Sequence, residues 1–132
     1  MIERPLVAIV DDDDSIRRST RSLLRASGFA TAAFSDAQSF LASAARATAA
    51  CLIADMRMPG MSGLELYQAL MASGDGIPTV LITAYAEDIT RSRARAAGIS
   101  CLLGKPFGPD ELLECVRRAL DKPRHGKPIP RS

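Results

Sequence analysis

The chain has 132 residues, of which 47% are hydrophobic and 24% are charged, and its formal net charge is +2. This length and composition are ordinary for one globular domain with a buried core. The small net charge gives no reason to expect nucleic acid or a membrane as a partner, and no apolar stretch is long enough to span a bilayer. The short apolar run after Glu3 and Arg4 does not resemble a signal peptide, so we expect a cytoplasmic location.

The cysteines and the histidine do not indicate a metal centre built on sulfur or imidazole. Cys51, Cys101 and Cys115 are far apart, and each lies inside an apolar segment. No Cys-x-x-Cys pair occurs, and the single histidine, His125, lies in a polar stretch, so zinc is not expected. Buried free thiols in a reducing compartment are the simplest prediction.

Apolar runs alternate with helical periodicities along the chain. Runs that are apolar at nearly every position predict strands buried on both faces, at residues 6–10, 29–34, 51–55, 79–83 and 99–103. Periodic segments bounded by capping residues and glycines predict helices, at residues 15–27, 36–46, 63–73, 87–97 and 109–121. The alternation predicts a doubly wound α/β domain with a five-stranded parallel sheet and five helices.

Capping residues and the end of the chain refine this prediction. Asp14 is the expected N-cap of the first helix, Ser35 or Asp36 of the second, and Ser62 of the third. The domain is expected to span residues 1–121. Residues 122–132 contain three prolines and little apolar content, which is typical of a tail or a truncated linker.

Polar side chains follow four of the five predicted strands. Asp11 and Asp12 follow the first strand, Asp55 ends the third, Thr83 ends the fourth and Lys105 follows the fifth. Ligands of open α/β sheets bind at this edge. Clustered carboxylates repel one another unless a cation joins them, and Mg²⁺ prefers such oxygen ligands. A metal ion, an ammonium group and a hydroxyl around Asp55 predict phosphoryl transfer to that carboxylate.

Four segments, in this order and spacing, resemble a response regulator receiver domain: VAIVDDDDSIR, LIADMRMPGMSGLEL, VLITAY and LLGKPF. The resemblance covers roughly residues 5–121, and the segments STRSLLRASGF and ADMRMPGMSGLEL are most similar to receivers of the FixJ type. It implies the CheY-like, flavodoxin-like fold with the sheet order 2-1-3-4-5. It also implies a phosphoacceptor in a two-component phosphorelay, catalysing only its own phosphorylation and dephosphorylation.

The resemblance implies roles for the acidic residues at the sheet edge. Asp55 is the expected phosphoacceptor, and a sensor histidine kinase or a phosphotransfer protein is the expected donor partner. Asp11 and Asp12 are expected to hold Mg²⁺, or Mn²⁺, together with Asp55 and the main-chain carbonyl of Arg57. No direct contact of this domain with nucleic acid or a membrane is implied.

The resemblance also implies roles for residues that follow the last two strands. Thr83 and Lys105 are expected to contact the phosphoryl oxygens, and the bond before Pro106 is an expected cis peptide. Arg57 and Tyr85 occupy positions that tune hydrolysis of the acyl phosphate in the family. Because both side chains are bulky, we expect partial shielding and a fairly long-lived phosphate.

Two neighbouring positions depart from the family pattern. Receivers usually carry Phe or Tyr three residues before the lysine, where this chain has Leu102, and an acid is common where Cys101 stands. In the family, phosphorylation changes the face formed by the fourth helix, the fifth strand and the fifth helix, and homodimers form through it. We expect coupling to this face to be altered, weakened or carried by aliphatic repacking.

Arginines four residues apart form a stripe on the first predicted helix, at Arg17, Arg21 and Arg25. In similar receivers this helix docks the histidine-bearing kinase domain, so the stripe is a candidate surface for an acidic partner. A solvated helix face explains the same pattern equally well.

Two other functions fit parts of the sequence. Asp11-x-Asp13-x-Ser15 loosely fits a phosphohydrolase of the haloacid dehalogenase type, which needs Asp11 as its nucleophile, but no late acidic pair or cap region follows. A pseudo-receiver that binds partners without phosphorylation is compatible with Leu102. Replacing Asp55 with Asn separates the first alternative from a receiver, because only a receiver then loses acetyl-phosphate labelling.

Overall fold

A computed structural model of the chain describes residues 4–84, 88–99 and 101–122. The strands are β1 (Leu6–Val10), β2 (Ala30–Phe34), β3 (Cys51–Asp55), β4 (Thr79–Thr83) and β5 (Cys101–Gly104). The helices are α1 (Asp14–Ala26), α2 (Ala37–Leu41), α3 (Ala45–Thr48), α4 (Gly63–Ala72), α5 (Asp88–Ala97) and α6 (Pro109–Leu120). The strands form one parallel sheet in the order β2-β1-β3-β4-β5, which confirms the predicted topology. Of the predicted tail, only Lys122 belongs to the described residues.

Helices cover both faces of the sheet, as a doubly wound fold requires. Alternate residues of a strand point to opposite faces. Ile9, Ile53 and Ile82 pack on one face, in a core shared with α1 and α6. Leu52 and Leu81 pack on the other, in a core shared with α2, α3, α4 and α5. The central strands are therefore apolar at consecutive positions, because neither of their faces meets water.

The helix predicted over residues 36–46 is divided into α2 and α3, so the described residues contain six helices and not the predicted five. Asp36 is the N-cap of α2, and its carboxylate accepts a hydrogen bond of 2.7 Å from the Ser39 amide. Beyond α2, the Ser43 hydroxyl donates to the Phe40 carbonyl at 2.7 Å. Such local side-chain bonds compete with the helical ladder, which accounts for the interruption.

The predicted N-cap of α1 is off by one residue. Asp13 is extended and its carboxylate accepts from the Ile16 amide at 3.1 Å, whereas Asp14 is the first helical residue. The prediction for α4 is confirmed, because the Ser62 hydroxyl accepts from the Glu65 amide at 3.1 Å and the Glu65 carboxylate accepts from the Ser62 amide at 2.9 Å. This capping box fixes where α4 begins.

The prediction of three free thiols is wrong for two of the cysteines. Cys101 of β5 and Cys115 of α6 form a disulfide, with their Cα atoms 5.9 Å apart. Cys51 is free and buried in β3. The two bonded cysteines lie in different elements and their spacing matches no motif, so only the packing of α6 on β5 brings their side chains together.

Among the described helices, none has the length and apolarity needed to cross a membrane.

Candidate functional site

The carboxyl ends of four strands bring the predicted site residues to one edge of the sheet. Asp11 follows β1, Asp55 is the last residue of β3, Thr83 is the last residue of β4, and Lys105 follows β5. Neighbouring strands are in parallel register here, and the Lys105 amide donates to the Thr83 carbonyl at 2.7 Å. We call this set of strand ends the carboxyl edge.

Three aspartates at the carboxyl edge form a compact acidic cluster. One carboxylate oxygen each from Asp11, Asp12 and Asp55 lies within 4.8 Å of the other two. Asp11 and Asp55 are only 2% and 7% exposed, whereas Asp12 is exposed to solvent. One oxygen of Asp11 accepts from the Asp13 amide at 2.9 Å, which fixes the orientation of its carboxylate. Because Asp12 is exposed while Asp11 and Asp55 are nearly buried, the cluster is accessible from the side of Asp12.

The electrostatics of the cluster favour a bound cation. Burial raises the pKa of Asp11 above its ordinary value, and the negative charges of Asp55 and Asp12 raise it further. The Asp13 amide and the Lys105 ammonium act in the opposite direction. The donors are all carboxylate oxygens, the ligand type that Mg²⁺ and Mn²⁺ accept and that a thiol-preferring metal does not. The cluster therefore fits a hard divalent cation.

Lys105 carries the compensating charge within the cluster. Its Nζ lies 3.3 Å from Oδ2 of Asp55 and 3.8 Å from Oδ2 of Asp11. The peptide bond between Lys105 and Pro106 is cis, the geometry that the resemblance implied. One ammonium thus contacts the carboxylate predicted to react and one carboxylate predicted to bind metal.

The backbone around Asp55 is tightly packed against the start of α4. The Asp55 carboxylate accepts from the Arg57 amide at 3.3 Å, and the Gly63 amide donates to the Met56 carbonyl at 3.2 Å. A Cβ atom at Gly63 would lie 2.4 Å from the Asp55 carbonyl oxygen and 3.0 Å from Leu81 Cδ2. Only glycine fits at this position, so Gly63 supports the site without carrying any functional group.

Thr83 and Arg57 line a neighbouring cavity. Thr83 is 1% exposed, and the cavity beside it has a volume of about 760 Å³. Arg93, Thr90 and Gln68 are among the other lining residues, so the lining mixes polar and apolar side chains. Tyr85, the second residue predicted to tune hydrolysis, lies outside the described residues.

The structure gives Arg17 a contact that the sequence pattern did not predict. Its Nη1 donates to the Asp11 carbonyl at 2.7 Å, and its Nη2 pairs with the Asp14 carboxylate. Arg21 of the same stripe donates to the Thr31 hydroxyl of β2 at 3.2 Å. Two members of the stripe are therefore bound to neighbouring backbone or side chains, and Arg17 braces the acidic loop.

Leu102 lies in β5, away from the carboxyl edge. Its side chain is half-buried and packs against the core that includes Leu81 and Ala94. The same residue lines a small cleft with Arg91 and Arg95 of α5. The aliphatic side chain thus occupies the boundary between the core and the surface formed by α5 and β5.

By its fold and its acidic edge, the chain is an α/β domain with a carboxylate pocket that can hold a metal ion. Comparison with known proteins identifies its family. The model of the response regulator receiver domain matches residues 7–117. The chain therefore belongs to the response regulator receiver family, a family of signalling domains in two-component systems. Receiver domains generally bind Mg²⁺ through an acidic pocket and are phosphorylated by histidine kinases.

Individual relatives agree with this assignment. The chain is 36% identical over 115 residues to the response regulator protein TodT of Pseudomonas putida, covering 87% of this chain and 51% of that protein. It is 34% identical over 116 residues to the transcriptional regulatory protein FixJ of Azorhizobium caulinodans, covering 88% of this chain and 55% of that protein. The chain thus spans about half the length of these curated relatives.

Solved structures show the same fold. The response regulator StyR is 44% identical with a TM-score of 0.82, covering 90% of this chain and 60% of that chain. The FixJ-N structure is 32% identical with a TM-score of 0.80, covering 91% of this chain and 96% of that chain. These likenesses place the chain among receivers.

Proposed function

We propose that this domain accepts a phosphoryl group on Asp55 in a Mg²⁺-dependent reaction. The observation that carries the proposal is the position of Asp55, whose carboxylate lies 3.3 Å from the Lys105 ammonium and in a cluster with Asp11 and Asp12. The Lys105 ammonium offsets part of the negative charge on the nearly buried Asp55 carboxylate and fixes its direction. Both conditions favour attack on a phosphorus atom.

Asp11, Asp12, Asp55 and the main-chain carbonyl of Arg57 are the proposed ligands of Mg²⁺ or Mn²⁺. When bound, the metal ion would neutralise charge on the phosphoryl oxygens. The protein's own residues do the remaining work. The Asp13 amide orients Asp11 at 2.9 Å, and Arg17 holds the Asp11 carbonyl at 2.7 Å.

The proposed donor is the phosphohistidine of a sensor histidine kinase or of a phosphotransfer protein. A carboxylate oxygen of Asp55 forms the new bond to phosphorus while the bond between phosphorus and the histidine nitrogen breaks. Lys105 and Thr83 would contact the phosphoryl oxygens, since both lie at the carboxyl edge beside Asp55. This chemistry needs positioning and charge neutralisation more than it needs a proton donor.

The proposed output surface is the α5–β5–α6 face, which we define as the exposed sides of these three elements. They correspond to the fourth helix, the fifth strand and the fifth helix predicted from the sequence. Phosphorylation would change this face and allow homodimers to form through it. Because Leu102 replaces the usual aromatic residue, we propose that aliphatic repacking against the Leu81 core transmits the change. Beryllofluoride that left the amide spectra of α5 and β5 unchanged would contradict this route and favour the pseudo-receiver alternative.

Arg57 and Tyr85 are proposed to shield the acyl phosphate from water. The Arg57 amide is already within 3.3 Å of the Asp55 carboxylate, so its side chain starts next to the reacting group. The phosphate should be lost faster from the Arg57→Ala, Tyr85→Ala double variant. An unchanged lifetime would remove the shielding idea and leave the acceptor assignment intact.

The acceptor assignment is tested by labelling with acetyl phosphate and Mg²⁺, read by intact-protein mass. Asp55→Asn should abolish the added phosphoryl mass. Asp13→Asn is the matched control, because Asn also caps helices well and Asp13 is outside the acidic cluster. Labelling that persists in Asp55→Asn, or that is lost equally in Asp13→Asn, would contradict the assignment.

A further inference from the structure

The disulfide between Cys101 and Cys115 lies apart from the carboxyl edge and joins two elements of the α5–β5–α6 face. Cys101 is the first residue of β5, an edge strand that pairs only with β4 among the described strands. Cys115 lies in the middle of α6, 14 positions later. The bridge therefore closes a loop of chain that contains both Leu102 and Lys105.

The three cysteines differ in how easily a small reagent could reach them. Cys101 is half-buried and lines a cleft of about 140 Å³ with Arg91 and Arg95. Cys115 is 4% exposed, and Cys51 is completely buried. Burial raises the pKa of the Cys51 thiol to about 12, so that thiol stays protonated and unreactive. One accessible thiol beside one buried partner is the arrangement of an attacking and a resolving cysteine.

We propose that Cys101 and Cys115 form a reversible dithiol–disulfide site that reacts with small anionic disulfides such as glutathione disulfide. Arg95 lines the cleft and favours an anionic reagent, since its positive charge attracts carboxylates and stabilises a thiolate. The site does not depend on the function proposed for Asp55.

The exchange proceeds in two balanced steps. The Cys101 thiolate attacks one sulfur of the small disulfide, whose S–S bond breaks and releases one small thiol. The Cys115 thiolate then attacks the Cys101 sulfur and releases the second small thiol. The two protein thiols lose two electrons and two protons in total, and the small disulfide gains them.

Oxidation at this site would restrain α6. Leu112, Val116 and Ala119 pack this helix onto the sheet by apolar contacts, which local opening can break when the disulfide is reduced. A covalent bridge from the middle of α6 to β5 prevents the two elements from separating. The redox state of the pair would thus set how freely the α5–β5–α6 face rearranges.

The chemistry is tested by treating the reduced chain with glutathione disulfide and mapping its cysteines by peptide mass spectrometry. The wild type should gain the bridge between Cys101 and Cys115, with Cys51 unmodified. Cys115→Ser should accumulate glutathione on Cys101, because the resolving thiol is missing. Cys101→Ser should react at least about tenfold more slowly. Modification of Cys51 at the rate of Cys101, or bridges between chains only, would overturn the proposal.

The restraint is tested by hydrogen exchange on the unphosphorylated wild type in its two redox states, which needs no substitution. Amides of α6 should exchange at least about tenfold more slowly in the oxidised form than in the reduced form. Amides of α4, which has no bridge, are the internal control and should not change. Equal exchange in α6 for both forms would overturn the restraint. Failure of acetyl-phosphate labelling would affect neither result.

Discussion

The carboxyl edge and the α5–β5–α6 face are built from different kinds of contact. At the edge, Lys105 Nζ lies within 3.8 Å of the Asp11 and Asp55 carboxylates, and the three residues come from separate strand ends. On the face, Leu102 packs by apolar contact, and one disulfide ties β5 to α6. Directed polar contacts concentrate function in a few atoms, whereas apolar packing distributes it over many. Substitutions should therefore act sharply at the edge and gradually on the face.

Among substitutions that keep the Asp55 acceptor, loss of the Lys105 ammonium should give the largest change in reactivity. Lys105→Met removes the cation 3.3 Å from Asp55, so the rate of acetyl-phosphate labelling should fall by roughly 10²-fold. The matched control is Lys122→Met, at an exposed lysine after α6, which should label at the wild-type rate. Equal rates for the two variants would show that the edge does not depend on this charge.

Crowding the backbone beneath Asp55 should give the largest change in stability. Gly63→Ala would place Cβ 2.4 Å from the Asp55 carbonyl oxygen, and urea unfolding should show a loss of about 2–3 kcal/mol. Gly108→Ala is the control, because its Cβ would lie 3.4 Å from the end of the Glu111 side chain and should cost less than about 1 kcal/mol. Similar costs at the two glycines would argue against tight packing at the edge.

The raised pKa of Asp11 predicts how the metal-free edge responds to pH. Because the folded chain holds this proton more tightly than the unfolded chain, its contribution favours folding below pH 3.8 and is lost as the pH rises through the raised pKa. In EDTA at neutral pH, Asp11→Asn should therefore be more stable than the wild type.

Mg²⁺ should reverse that order. At a hundred times its dissociation constant it should stabilise the wild type by about 2.7 kcal/mol, while Asp11→Asn should respond weakly. Asp13→Asn keeps the whole acidic cluster and should respond like the wild type. Thermal melts of the three proteins, with and without the metal, measure these differences. If Mg²⁺ stabilised Asp11→Asn as much as the wild type, Asp11 would not be a metal ligand.

A change on the face should affect labelling least. Leu102→Phe supplies the aromatic side chain usual in the family and leaves every contact of the carboxyl edge in place. Its labelling rate should stay within about twofold of the wild type, while beryllofluoride should shift more amides of α5 and β5. If Leu102→Phe changed the labelling rate as much as Lys105→Met does, the carboxyl edge and the α5–β5–α6 face would not act separately.

Much of the fold was predictable from local patterns. Continuous apolar runs located all five strands, because a strand covered by helices on both faces is apolar at most of its positions. The split of the second predicted helix was missed, since an alanine-rich segment fits a helix until Ser43 bonds to the Phe40 carbonyl. The first N-cap was misplaced by one residue because consecutive aspartates offer equal capping groups.

The sequence by itself predicted which polar residues stand at the strand ends, their order there and the family. It could do so because parallel strands must deliver Asp11, Asp55, Thr83 and Lys105 to one edge. Only the tertiary structure decided that Arg17 binds the Asp11 carbonyl, that Gly63 must lack a side chain, and that Cys101 meets Cys115. Each of these contacts joins residues of different elements or loops, and their distances depend on how helices pack on the sheet, which no local pattern records.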